Sequence, residues 1–143
     1  LAALLQSSGR LFSLVIEQKE VNDWLGLFRA SPSSYWRTHY PFGKQSPESD
    51  GQLGNASRQI LLINTVAPVL FAYGTESYCE RAIHLLESLK PEKNVIISEF
   101  KEAGVVPRNA FETQALIQLR RDYCDHRKCL FCRIGHRLLS HSE

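Results

Sequence analysis

The sequence predicts an all-α protein, a compact multi-helix bundle with one long irregular surface connection over about residues 30–56. Two observations carry this. Apolar residues recur at three- and four-residue spacing in nearly every ordered stretch, and no alternating apolar–polar run of useful length remains once those stretches are assigned. The β-branched residues sit inside the helical stripes. The chain has 143 residues, of which 43% are hydrophobic, enough for one ordinary core, so residues 1–143 are expected to form a single helical domain.

Taken in order, Leu1–Leu5 and Leu11–Ile16 are apolar helical runs separated by Ser7, Ser8 and Gly9, which predicts a helical hairpin. Trp24, Leu25 and Phe28 continue at helical spacing until Pro32 disfavours helix before it. From Ala30 to Asn55 there are three prolines and three glycines among many Ser, Gln and Asp residues, the composition of a surface connection. The segment Tyr35–Phe42 (YWRTHYPF) is dense in aromatics and requires some packing of its own.

Ser57 or Asn55 is positioned to cap a helix over about residues 58–73, closed by Gly74. Its apolar residues cover nearly every face, which predicts a central position, and Pro68 predicts a kink beside Asn64 and Thr65. Thr75 caps the next helix, to Leu89, with a stripe of Cys79, Ala82, Ile83 and Leu86. Pro91 suits a first helical turn before Ile96, Ile97 and Phe100, with Gly104 as the stop. Asn109 and Glu112 have capping-box spacing for a helix that reaches Tyr123 through Phe111, Ala115, Leu116 and Leu119. A last helix spans about residues 130–139.

The chain begins at Leu1 inside an apolar run and contains no methionine, from which a natural N-terminus further upstream is expected. No stretch approaches the roughly 18 apolar residues of a membrane span. No charged-then-apolar signal segment is visible either, and the expected location is the cytoplasm with no membrane partner. Seventeen Lys and Arg against fifteen Asp and Glu give a formal net charge of +2, which excludes no partner class by itself. The distribution is more telling. Arg120, Arg121, Arg127, Lys128, Arg133 and Arg137 face only Asp122 and Asp125 between Leu119 and Arg137. Such an end can meet nucleic-acid phosphates, with Tyr123 and Phe131 available for stacking.

That basic end contains Cys124, Cys129 and Cys132 in the spacing C-x4-C-x2-C, and Cys79 is the fourth cysteine of the chain. Two cysteines separated by two residues can place both sulfurs on one ion, and nearby cations favour the thiolate that a metal binds. Cys79 would complete a four-cysteine site for a [4Fe–4S] cluster or zinc, whereas His136 would complete a three-cysteine, one-histidine zinc site. The basic residues would equally balance the charge of such a centre without nucleic acid. The plain alternative is four reduced, unliganded thiols, with Cys79 a small core residue.

His39 with Arg37 is a further candidate, as a base or ligand beside an anion-binding guanidinium. No carboxylate lies near in sequence, and an aromatic anchor pinning the loop to the bundle explains the segment more simply. Satisfying the backbone around Pro68 does the same for Asn64 and Thr65. His84 is expected in solvent, and His141 in the tail.

Four segments, Leu1–Glu17 (LAALLQSSGRLFSLVIE), Tyr35–Phe42, Ile60–Gly74 (ILLINTVAPVLFAYG) and Gln114–Gly135 (QALIQLRRDYCDHRKCLFCRIG), together resemble the bacterial family known as domain of unknown function 2851. The resemblance implies that the chain corresponds to the C-terminal third of such proteins. It also implies an upstream part with Asp and Glu-His motifs similar to a PD-(D/E)XK nuclease core. None of those motifs is in this chain. The implied role is therefore an accessory one: a cysteine-clustered helical segment that partners the upstream part of the same polypeptide and supports nucleic-acid binding. The rival is a helical scaffold or protein-interaction module with no metal centre.

Overall fold

The computed structural model describes residues 10–140, and among these every regular element is helical. The helices Leu1–Leu5 and the hairpin expected there lie outside the described residues, as does His141. No helix of the described residues is long and apolar enough to cross a membrane. The chain divides into two compact units, Leu1–Leu85 and Leu86–Glu143.

In the first unit, α1 (Leu11–Glu17) and α2 (Val21–Leu27) are followed by a short α3 (Ser34–Thr38). Then α4 (Asn55–Leu61), a π-helical turn (Leu62–Val66) and α5 (Ala67–Tyr73) run on without a break. Pro68 has no N–H to give and its ring crowds the preceding turn. The wider helical turn just before it absorbs that conflict. Asn64 donates from Nδ2 to the Ile60 carbonyl at 3.0 Å, a local structural use of its amide. Gly74 ends α5 with φ +84°, the left-handed conformation that costs glycine least.

Two expectations for this rod are corrected. The N-cap is Gly54, and no side chain caps the helix. Asn55 is already helical and Ser57 lies beyond the position from which a hydroxyl can reach the first N–H groups. Nor is the rod buried all round. Leu62, Ile63, Val66, Ala67 and Leu70 are in the core, but Ile60, Phe71 and Tyr73 are exposed. Only one stripe of it is buried, and at its end the exposed Tyr73 ring meets Phe12 of α1 and Tyr78 of the next helix, α6 (Glu76–Ser88).

The core of this unit joins that stripe to Val15, Ile16, Trp24, Phe28, Ala82 and Leu85. Trp24 is wholly buried and its indole N–H donates to the Val15 carbonyl at 2.9 Å, so the one polar atom of the ring is satisfied. Two arginines serve the carbonyl ends of the short helices, which have no intrahelical donors. Arg81 donates to the Ile16 carbonyl at 2.9 Å and to that of Gln18, and its guanidinium lies 5.0 Å from the Tyr78 ring centre. Arg58 donates to Leu25 at 3.3 Å.

The second unit contains α7 (Val95–Glu102), α8 (Ala110–Leu119) with a π-helical turn (Arg120–Cys124), a 3-10 turn (Cys129–Phe131) and α9 (Arg133–Ser140). Asn94 caps α7 by accepting the Ile97 N–H at 2.9 Å, so Pro91 precedes the helix and does not occupy its first turn. Asn109 caps α8 as its spacing predicts, accepting from Glu112 N–H at 3.0 Å. The reciprocal half of the box is displaced by one residue. Glu112 accepts from Arg108, backbone N–H at 2.6 Å and guanidinium at 2.6 and 2.8 Å.

The buried face of α8 also differs from the expected stripe. Ala110, Thr113 and Ile117 are buried while Phe111 is exposed, and Leu116 and Leu119 are half-buried. The helix is apolar on several faces, so sequence periodicity does not select one. Similarly, the last helix starts at Arg133 and not at Leu130, because Cys129–Phe131 is wound in the tighter 3-10 form.

Candidate functional site

The C-terminal end of the second unit gathers the cysteine run. Helix α7 closes in a Schellman arrangement: Val105 N–H donates to Phe100 O at 2.8 Å and Gly104 N–H to Lys101 O at 3.0 Å, with Gly104 at φ +85°. The same arrangement follows the π-helical turn. Lys128 N–H donates to Tyr123 O at 2.9 Å and Arg127 N–H to Cys124 O at 3.0 Å, but the left-handed residue is Arg127, φ +53°. Reversal there carries the chain from Cys124 back to Cys129. Next, Cys132 N–H donates to Cys129 O at 3.2 Å, and His136 N–H donates to Cys132 O at 2.8 Å, which places Cys132 at the N-cap of α9.

Gly135 fixes how α9 meets this turn. A Cβ at Gly135 would fall inside contact distance of the Cys129 carbonyl oxygen and 3.0 Å from its carbonyl carbon. Only glycine lets the helix lie this close to the Cys129 backbone. No signal for this position exists in helix propensity, which counts glycine as a weak helix former.

The consequence is a cavity of about 300 Å³ lined by Cys124, Cys129 and Cys132 together with Phe100, Val105, Leu116, Leu119, Tyr123, Ile134 and Gly135. Three of the four sequence-predicted cysteines therefore border one space. Cys124 and Cys129 are exposed and Cys132 is half-buried. The donor set suits a thiophilic ion in kind. In arrangement it is incomplete: among the described residues, no three His, Cys, Asp or Glu side chains are grouped to hold a metal ion. Cys79 sits half-buried on α6, in the first unit.

The six basic residues do not form an equivalent set. Arg120 donates from Nε to Asp125 at 2.6 Å and pairs through its terminal nitrogen with Glu99 at 2.8 Å. The hydrogen bond to Asp125 and the charge of Glu99 hold its guanidinium pKa above the ordinary value. Arg121, Arg127, Lys128, Arg133 and Arg137 are exposed. Beside them Leu130 and Phe131 are 72% and 83% exposed, and Ile134 is exposed too.

His39 and Arg37 lie in the first unit. His39 stacks on Tyr35, ring centres 4.2 Å apart and nearly parallel, and its Nδ1 lies 3.0 Å from Thr38 Oγ1 and 3.1 Å from the Tyr35 carbonyl. Phe42 meets Trp36 edge-on at 4.7 Å, and the Tyr35 hydroxyl accepts from Gly43 N–H at 3.0 Å. The polar partners of His39 are thus structural. The aromatics pack on one another and not into the core, with Tyr40 91% and Phe42 82% exposed. This corrects the anchor expectation: the segment folds its own loop.

A family model described as Protein of unknown function (DUF2851) matches residues 1–95. Neither the curated proteins nor the solved structures give a match. The matched residues include Leu1–Glu17, Tyr35–Phe42 and Ile60–Gly74 but not Gln114–Gly135, so the expected correspondence to a C-terminal third is not borne out. With 95 of its 143 residues matched, the chain belongs to the family described as Protein of unknown function (DUF2851).

Proposed function

We propose that the chain is a helical accessory module whose C-terminal turn binds a structural metal centre, zinc or a [4Fe–4S] cluster, through Cys124, Cys129 and Cys132. The observation that supports this is that all three cysteines line one cavity. When bound, the centre supplies a cross-link and lowers the entropy of the chain end. The protein's part is to present the sulfurs: the reversal at Arg127 returns Cys129 toward Cys124, and Gly135 seats the Cys129 backbone on α9. Binding requires the three side chains to reorient from the positions they take here, and a fourth donor from His136 or Cys79.

The exposed cations Arg121, Arg127, Lys128, Arg133 and Arg137 would then contact the phosphates of a nucleic acid. Arg120 is excluded from that role by its two carboxylate partners.

Metal analysis of protein purified without oxygen tests the centre. About one zinc per chain, or iron and sulfide with visible absorption, is the expected result; His136→Ala and Cys79→Ala report the fourth donor. Absence of both metals, with all thiols freely alkylated, overturns it. For nucleic acid, affinity should fall with salt, and the slope should drop by about one for each phosphate contact removed in Arg127→Ala or Lys128→Ala. The second reading, a metal-free interaction module, is favoured by the lack of a grouped donor set among the described residues and by exposed Leu130, Phe131 and Ile134. It predicts a fold indifferent to chelators.

A further inference from the structure

We propose that Cys129 and Cys132 are a reversible redox pair, closed to an intramolecular disulfide by exchange with a low-molecular-weight disulfide such as oxidised glutathione. The inference concerns the metal-free chain and does not depend on the metal reading.

Three observations on this turn carry it. First, the Cys132 N–H to Cys129 O hydrogen bond, 3.2 Å, closes a four-residue turn. Such a turn holds its end α-carbons within about 7 Å, and disulfides span about 4.4–6.8 Å between α-carbons. The two ranges overlap, so the turn geometry is of the kind a disulfide spans. Second, both residues line the same cavity. Third, the pair is accessible as free thiols, Cys129 exposed and Cys132 half-buried, an order that suits attack by one and resolution by the other.

The support beneath the turn is stiff. Gly135 is packed on the Cys129 backbone, and α9 begins immediately after Cys132 with the His136 N–H to Cys132 O bond at 2.8 Å. Cys124 lies outside this turn, before the reversal at Arg127, and its own carbonyl is used to close the preceding helix. The hydrogen-bonded turn therefore favours Cys129 and Cys132 as the pair.

In the first step the Cys129 sulfur attacks one sulfur of the small disulfide. A mixed disulfide forms and one small thiol leaves with a proton. The Cys132 sulfur then attacks the Cys129 sulfur, displacing the second small thiol, which takes the other proton. Two electrons pass from the cysteines to the small disulfide, and the chain loses two hydrogens. Excess small thiol reverses both steps.

The test uses the full chain, stripped of metal with a chelator and equilibrated in glutathione buffers of rising oxidised fraction. Alkylatable thiols should fall from four to two, and peptide mass spectrometry should find Cys129 joined to Cys132 with Cys79 and Cys124 alkylated. Cys129→Ser and Cys132→Ser should each stop at a single glutathione adduct. The inference is overturned if all four thiols stay alkylatable, if glutathione adducts accumulate on the wild type without an internal bond, or if the bond involves Cys124 or Cys79. Metal content, measured on the reduced protein beforehand, judges the metal reading separately. Should a serine variant misfold, the wild-type peptide map alone still decides the pairing.

Discussion

At the residue scale, two backbone positions around the cysteine turn work in opposite senses. Arg127 holds a left-handed conformation, φ +53°, that an L side chain adopts at a cost. Glycine has no Cβ to clash there, so Arg127→Gly should raise stability by about 1 kcal/mol in denaturant unfolding, the gain being limited by the greater freedom glycine has when unfolded. Gly135 is the reverse case. Its missing Cβ is the space that the Cys129 carbonyl occupies, and backbone cannot step aside as a flexible side chain can. Gly135→Ala should cost about 1–3 kcal/mol, by analogy with overpacked cores. It should also change the alkylation rates of Cys129 and Cys132. Equal stability of the alanine variant and unchanged alkylation would show that α9 does not need this close approach. Cysteine spacing was legible in the sequence. The glycine was not, because close approach of two backbone segments six residues apart leaves no mark on local propensity.

At the element scale, the helices were legible from apolar periodicity and their caps from side-chain chemistry wherever one residue had one role. Asn109 caps α8 as its spacing foretells, but Glu112 passes over the Asn109 N–H and takes Arg108, which offers a backbone N–H and a guanidinium together. Charge outweighs the neutral reciprocal bond. The hydrogen bonds from Arg108, side chain first and then backbone, hold the Glu112 pKa below the ordinary carboxylate value. A group whose pKa is lower folded than unfolded stabilises the fold above its unfolded value, about 4.3 for glutamate. That contribution is lost as the pH falls through the folded value. Accordingly, Glu112→Gln should lower the thermal midpoint at pH 7. The difference from wild type should shrink as the pH drops below about 4, where the native side chain is itself protonated. A gap that stays constant with pH would mean that the ion pair contributes nothing beyond the cap.

For the whole molecule, α6 is the element that belongs to both units. It runs unbroken through Glu76–Ser88 while the division falls at Leu85 and Leu86. Ala82 and Leu85, on the first unit's side of the division, and Leu86 and, just past the helix end, Leu89, on the second's, are all buried. This division was not legible: the stripe of α6 reads as one continuous face, and 143 residues read as one core. Melting either unit would strip part of α6 of its buried partners, and isolated helical segments this short are marginal in water. Unfolding should therefore be cooperative across the chain. Both tryptophans, Trp24 and Trp36, lie in the first unit, so their fluorescence reports that unit alone, while far-UV circular dichroism reports all the helices. Ile97, 1% exposed, lies in the core of the second unit. Ile97→Ala leaves a cavity there and should cost about 2–5 kcal/mol. If α6 couples the units, the tryptophan signal shifts with the dichroism, although no tryptophan is in the mutated unit, and the two midpoints coincide in wild type and variant alike. A fluorescence midpoint that stays in place while the dichroism splits into two steps would mean that the shared helix frays at Leu85–Leu86 and that the units unfold one at a time.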